Sequence, residues 1–100
     1  MSNTFSVLSN EVIKELNNPK NFEKYAGIYL VDDIDELHAI ISVSRYRLGD
    51  NGNFNWINTS KVKSFSHLFE DSSFNGHIEL WDTSNVEDMS AIFKNNEDFN

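Results

Sequence analysis

The chain of 100 residues contains no cysteine, one proline, four glycines and eight lysines and arginines against sixteen acids. Without cysteine there is no disulfide framework, no thiolate metal site and no cysteine nucleophile, and the redox compartment leans only mildly to the cytosol. Four glycines leave no G-x-G-x-x-G phosphate loop. No segment approaches the ~20 apolar residues that span a bilayer, and the opening ten residues have neither a basic start nor an apolar run. The expectation is a cytoplasmic protein, or a surface protein if the chain is a fragment.

The shortage of cations is sharpest near the C-terminus. From Glu70 onward the only cation is Lys94, against Glu70, Asp71, Glu79, Asp82, Glu87, Asp88, Glu97 and Asp98. Such a field repels nucleic acid and anionic membranes and steers toward basic protein surfaces. These eight acids are the expected partner-binding residues, and direct nucleic-acid or membrane binding is not expected.

Eighteen residues, Gly52 to Phe69, recur at Gly76 to Phe93 without a gap, 24 positions on. Gly52/Gly76, Thr59/Thr83, Ser60/Ser84, Val62/Val86, Ser66/Ser90 and Phe69/Phe93 are identical, and Phe54/Ile78, Trp56/Leu80, Ile57/Trp81, Phe65/Met89 and Leu68/Ile92 stay apolar. A period of this length marks units too small to bury their own apolar faces alone. Asn51-Gly52 and Asn75-Gly76 read as turns that tolerate positive φ. Phe54–Ile57 and Ile78–Trp81 read as strand-like rungs, and 66–69 and 90–93 as returning helical or 3₁₀ turns. A third copy begins at Phe99-Asn100, where the sequence stops.

Residues 1–50 read as a cap within a single domain spanning 1–100, with the repeats at 51–100. Ser9 or Asn10 starts a short helix whose apolar face is Val12, Ile13 and Leu16, ended by Asn18-Pro19. Ile28–Val31 reads as a strand. Asp32 or Asp33 caps a second helix with acids in its first turn, Arg45 and Arg47 in its last, and Gly49 to stop it. The fold class expected is α+β: a short leucine-rich-repeat-like solenoid of two complete 24-residue units with an N-terminal helical cap. Most of the thirteen aromatics belong to its core, with Phe69 and Phe93 on equivalent buried rungs.

The phrase from Phe74-Asn75-Gly76 through Trp81-Asp82-Thr83-Ser84-Asn85-Val86 to Phe93 resembles the repeat of the BspA-like leucine-rich-repeat proteins of bacteria. Asp35–Ile41 followed by Ile57–Val62 is similar to that family's entry helix and first repeat, so the resemblance covers about residues 33–100. It implies a right-handed solenoid and binding or adhesion rather than catalysis.

No chemistry competes with that implication. His38, His67 and His77 share no metal-ligand spacing, the adjacent acid pairs do not follow the calcium-loop pattern, and no serine stands in a G-x-S-x-G elbow. Asn58-Thr59-Ser60 fits the glycosylation acceptor pattern, most simply as the repeat's own turn. No catalytic residue, metal or cofactor is expected. The leading functional reading is a non-enzymatic acidic module that docks on a basic surface of a bacterial protein, in its sharpest form a phage or mobile-element inhibitor of the anti-CRISPR type. The alternative is a minimal or truncated bacterial surface repeat protein. Because the sequence stops within a third unit, Met89, Ile92, Phe93 and Phe99 are expected to form an apolar edge that self-associates as a two-fold dimer or is buried in the partner.

Overall fold

A computed structural model describes residues 10–96. Helix α1 spans Asn10–Asn17 and is followed by a 3₁₀ turn at Pro19–Asn21, strand β1 at Tyr29–Leu30, helix α2 at Ile34–Leu48 and strand β2 at Ile57–Asn58. α1 ends where Asn18 Oδ1 accepts from Lys20 N at 3.0 Å and Pro19 opens the next turn. Its apolar face is narrower than the spacing implies: Leu16 is buried, Ile13 packs partly buried against the core, and Val12 is exposed.

α2 carries its stop and start signals as read. Asp33 Oδ1 accepts from Glu36 N at 2.9 Å, and Glu36 Oε1 accepts from Asp32 N at 2.7 Å, so two helix-terminal donors are satisfied by one acidic pair. Gly49, at φ 85°, returns its N–H to Arg45 O. Leu37, Ile41, Ser44 and Leu48 form the buried face, and the Ser44 hydroxyl donates to Ile40 O at 2.6 Å, which makes a serine tolerable there.

The expected two-unit solenoid does not form. Among the described residues the fold is a small α+β arrangement of two α-helices and one two-stranded sheet, in which β1 pairs in parallel with β2 through Tyr29↔Ile57 and Leu30↔Asn58. β1 precedes the repeats, and β2 begins at the last residue of its expected rung. Ile78–Trp81 is not a strand, and the two sequence units are joined by the isolated bridges Asn53↔His77 and Ser64↔Asp88 and by single hydrogen bonds rather than by a strand ladder.

The reason lies in where the backbone donors go. In the first unit Ile57, Val62 and Leu68 donate to Phe54, Thr59 and Phe65, and in the second Trp81, Val86 and Ile92 donate to Ile78, Thr83 and Met89, all three residues back. An N–H spent inside a turn is lost to a strand ladder. Side chains do the same at equivalent places: Asn58 and Asp82 accept from Ser60 N and Ser84 N, and Ser64 and Asp88 from Ser66 N and Ser90 N. What recurs every 24 residues is a set of turns.

The core is largely aromatic. Phe69 stacks on Phe74 with centroids 4.0 Å apart and planes 4° from parallel, and Phe93 lies on Phe69 at 5.5 Å. Both indoles are satisfied, Trp56 Nε1 donating to Asn53 O and Trp81 Nε1 to Phe54 O, each at 2.7 Å. The buried Asn53 ties α1 to this core: its Nδ2 donates to Leu16 O, its N–H donates to Asn17 Oδ1, and its Oδ1 accepts from Asn55 N.

Gly52 and Gly76 are required for closeness, not for positive φ. A Cβ on Gly76 would lie 2.7 Å from Phe54 Cδ2 and Phe74 Cζ, and one on Gly52 would lie 2.5 Å from Leu48 O. The left-handed conformation falls instead on His67, Asp71, Ala91 and Asn95, two pairs of positions one repeat apart.

Phe69 and Phe93 are not equally buried. Phe69 is 1 % exposed, whereas Phe93 is only partly buried against the cluster. Phe69→Ala is expected to cost roughly 3–5 kcal/mol and Phe93→Ala roughly half that, measured by urea denaturation; equal losses would contradict the difference in burial. Gly76→Ala should cost about 1–3 kcal/mol by overpacking, and a neutral result would mean that the Phe54 and Phe74 rings yield freely.

Candidate interaction surfaces

The predicted acids do not play one role. Glu70 Oε1 lies 2.5 Å from His67 Nδ1 and its Oε2 3.9 Å from Lys94 Nζ, and Glu79 Oε2 lies 3.4 Å from His77 Nδ1. Asp82 accepts from both the hydroxyl and the N–H of Ser84, at 2.6 and 2.9 Å, in the turn that Asn58 makes one repeat earlier. Asp88 accepts from Ser90 N at 2.9 Å. Asp71 and Glu87 are exposed, and among the described residues their carboxylates have no hydrogen-bonded or ionic partner. Glu97, Asp98 and Phe99 lie outside the described residues.

A further acid is structural. Asp50 accepts from Arg45 Nε at 2.8 Å and from the Ser73 hydroxyl at 2.6 Å, clamping the end of α2 to the chain between the two units. The Arg45 guanidinium also sits 5.7 Å from the Phe74 ring centroid.

The apolar edge is best judged against the first unit, where Val62, Phe65, Leu68 and Phe69 are all buried. Their counterparts Val86, Ile92 and Phe93 are partly buried, and Met89 is 48 % exposed. Backbone groups show the same contrast. Phe65, His67 and Asp71 donate their N–H groups to Asp88, Ser90 and Lys94 carbonyls at 2.8, 3.0 and 2.8 Å, and the Thr59 hydroxyl donates to Asp82 O at 2.9 Å. The equivalent donors, the N–H groups of Met89, Ala91 and Asn95 and the Thr83 hydroxyl, meet no acceptor among the described residues. Sequence reasoning chose Met89 and Ile92 for their side chains and missed these donors, although the alignment of Thr83 with Thr59 carries the signal.

Other exposed apolar groups are Val12 on α1, Ile28 before β1 and Leu30 within it, Val43 and Tyr46 on α2, and Leu80. Shallow hollows among the described residues include one lined by Pro19, Lys20, Phe22, Glu23, Glu79 and Leu80, one by Ile34, Asp35, His38, Ser66, His67 and Leu68, and one by Ser42, Arg45, Tyr46 and Asp50. Among the described residues no three His, Asp or Glu side chains gather as metal ligands, and no helix is long and apolar enough to cross a membrane.

Three carboxyls are held below their ordinary range. The Ser73 hydroxyl and then Arg45 do this to Asp50, the Ser84 hydroxyl and then its N–H to Asp82, and the Ser90 N–H, then its hydroxyl, and the nearby His67 to Asp88. A carboxyl lowered by folding stabilises the fold above its unfolded pKa, and that contribution is lost as pH falls through the folded value. Stability should therefore be level near neutrality and decline below about pH 4. Asp82→Asn, which installs the amide found at Asn58, should keep the turn while shrinking the acid-induced loss; denaturation midpoints at neutral and acid pH that fall equally in both proteins would contradict this.

No curated protein and no solved structure matches the chain. Residues 42–100 match the family described as "Mycoplasma protein of unknown function, DUF285". This match takes in the end of α2 and both sequence units, and it is consistent with the BspA-like resemblance of the repeat phrase. With more than half of its length inside that match, the chain belongs to the DUF285 family.

Proposed function

We propose that the chain is a non-enzymatic binding module of a bacterial surface repeat protein. The family match is the observation that carries the reading, because it covers the repeat phrase on which the resemblance to surface repeat proteins rests. The partly uncovered second unit supports it, since a half-exposed apolar set beside backbone donors that meet no acceptor among the described residues is suited to contact. No finding supports an inhibitor of the anti-CRISPR type. The distribution of the acids does not favour it either: Glu70 and Glu79 are paired with histidines, and Asp82 and Asp88 build turns.

The partner in this proposal is a protein with a basic surface, met by the exposed carboxylates of Asp71 and Glu87. Exposed carboxylates set association rate and salt dependence more than folding stability. In the bacterium that encodes the chain, an antibody to it should label intact cells; labelling only after permeabilisation would overturn the surface assignment. Asp71→Asn, which installs the residue found at Asn95, combined with Glu87→Lys should lower recovery of the partner from a surface extract several-fold and flatten its salt dependence, while stability changes by less than about 1 kcal/mol. Undiminished recovery at low salt would remove the electrostatic contribution.

A further inference from the structure

We propose that the outer edge of the second unit, residues 89–95, binds an extended backbone segment of a partner protein in parallel alignment. That segment presents carbonyl groups at alternate residues and apolar side chains toward Val86, Met89 and Ile92. The inference deepens the binding reading above and rests on it.

The molecule contains its own template for this contact. Phe65, His67, Phe69 and Asp71 each donate an N–H to the segment that covers them, at Asp88, Ser90, Ile92 and Lys94. Met89, Ala91 and Asn95 occupy the places of Phe65, His67 and Asp71 one repeat later, and their N–H groups have no acceptor among the described residues. The backbone already holds the docked conformation: φ is 55° at Ala91 and 60° at Asn95, against 60° and 56° at His67 and Asp71. An edge that needs no rearrangement loses little entropy when a segment docks on it.

Hydrogen-bond polarity selects the occupant. The carbonyls of Met89 and Ala91 are already taken within turns, by Ile92 N at 3.3 Å and Lys94 N at 3.1 Å, so this stretch offers donors. The carbonyls of Asp88, Ser90 and Lys94 are taken by the first unit. A second copy placed across a two-fold axis would set N–H against N–H, which disfavours the two-fold dimer expected from the apolar side chains alone. A carbonyl-presenting strand from another chain meets the requirement, as in strand addition at a sheet edge. The exposed carboxylate of Glu87, nearby in sequence, favours a segment flanked by lysine or arginine.

The chain supplies the probe. A synthetic peptide with the sequence of residues 83–96, which covers the first unit, is titrated into the ¹⁵N-labelled protein. Saturable shifts confined to the second unit, with slowed hydrogen exchange at the Met89, Ala91 and Asn95 amides, are expected. A scrambled peptide should produce neither. Met89→Asp, at a side chain already half exposed, should weaken the peptide by about tenfold or more, while Val43→Asp on α2 should leave it unchanged. Absence of shifts at the three amides in the unmodified protein overturns the proposal. So does a concentration-dependent dimer, abolished by Met89→Asp, that protects the same amides without peptide. Labelling of intact cells alongside a failed titration would remove this edge and leave the surface-binding reading standing.

Discussion

Backbone hydrogen bonds tie alternate residues of the first unit's edge to residues just short of a repeat length further on, and most of the structure follows from that constraint. The N–H groups of Phe65, His67, Phe69 and Asp71 reach the carbonyls 23 residues further on, so the second unit can sit on the first in only one register. A shift by one residue would break these bonds, part Thr59 from Asp82 O and drive the rings of Phe54 and Phe74 away from Gly76. The glycine is therefore a consequence of the register, since only a residue without Cβ lets the Gly52 carbonyl and two aromatic rings come so near. The rings of Phe69 and Phe93, one repeat apart, stack in the interior, with Phe74 on the other face of Phe69.

What was legible in the sequence is what local chemistry decides. The ends of α1 and α2 were readable because Asn18-Pro19, Asp33 with Glu36, and Gly49 act within a few residues of themselves. The repeat was readable because identical and apolar positions recur at fixed spacing. Its conformation was not, because a short apolar run such as Phe54–Ile57 suits a strand or a turn equally. The choice was made by Phe54 O accepting from Ile57 N and by Asn53 accepting from Asn55 N. Gly76 was noticed for the wrong reason, since crowding by residues distant in sequence leaves no local mark.

The acidic residues show a similar division. Their count is visible in the sequence, but a carboxylate that caps a turn and one that faces a partner look alike as letters. Only alignment with the first unit separates them: Asp82 stands where Asn58 makes the same bond, and Asp88 where Ser64 does. Glu87 aligns with Lys63, so no common turn needs its charge, and it is the better candidate for contact with a partner.

The fastening of α1 sets an order of opening. α2 closes on caps within its own sequence, whereas α1 is held from outside, by Asn53 bonds to Leu16 and Asn17 across 37 and 36 residues, by long bonds from Asn17 to Leu48 O and from Arg47 to Asn10, and by the buried Leu16 and partly buried Ile13. A short helix with so few apolar anchors detaches at a lower free energy than the aromatic interior. Its departure strips Asn53 of its two α1 contacts and exposes a polar side chain that water readily solvates. Such an opening would be confined to the N-terminal face, with the α1 amides exchanging faster than those beside the stacked phenylalanines.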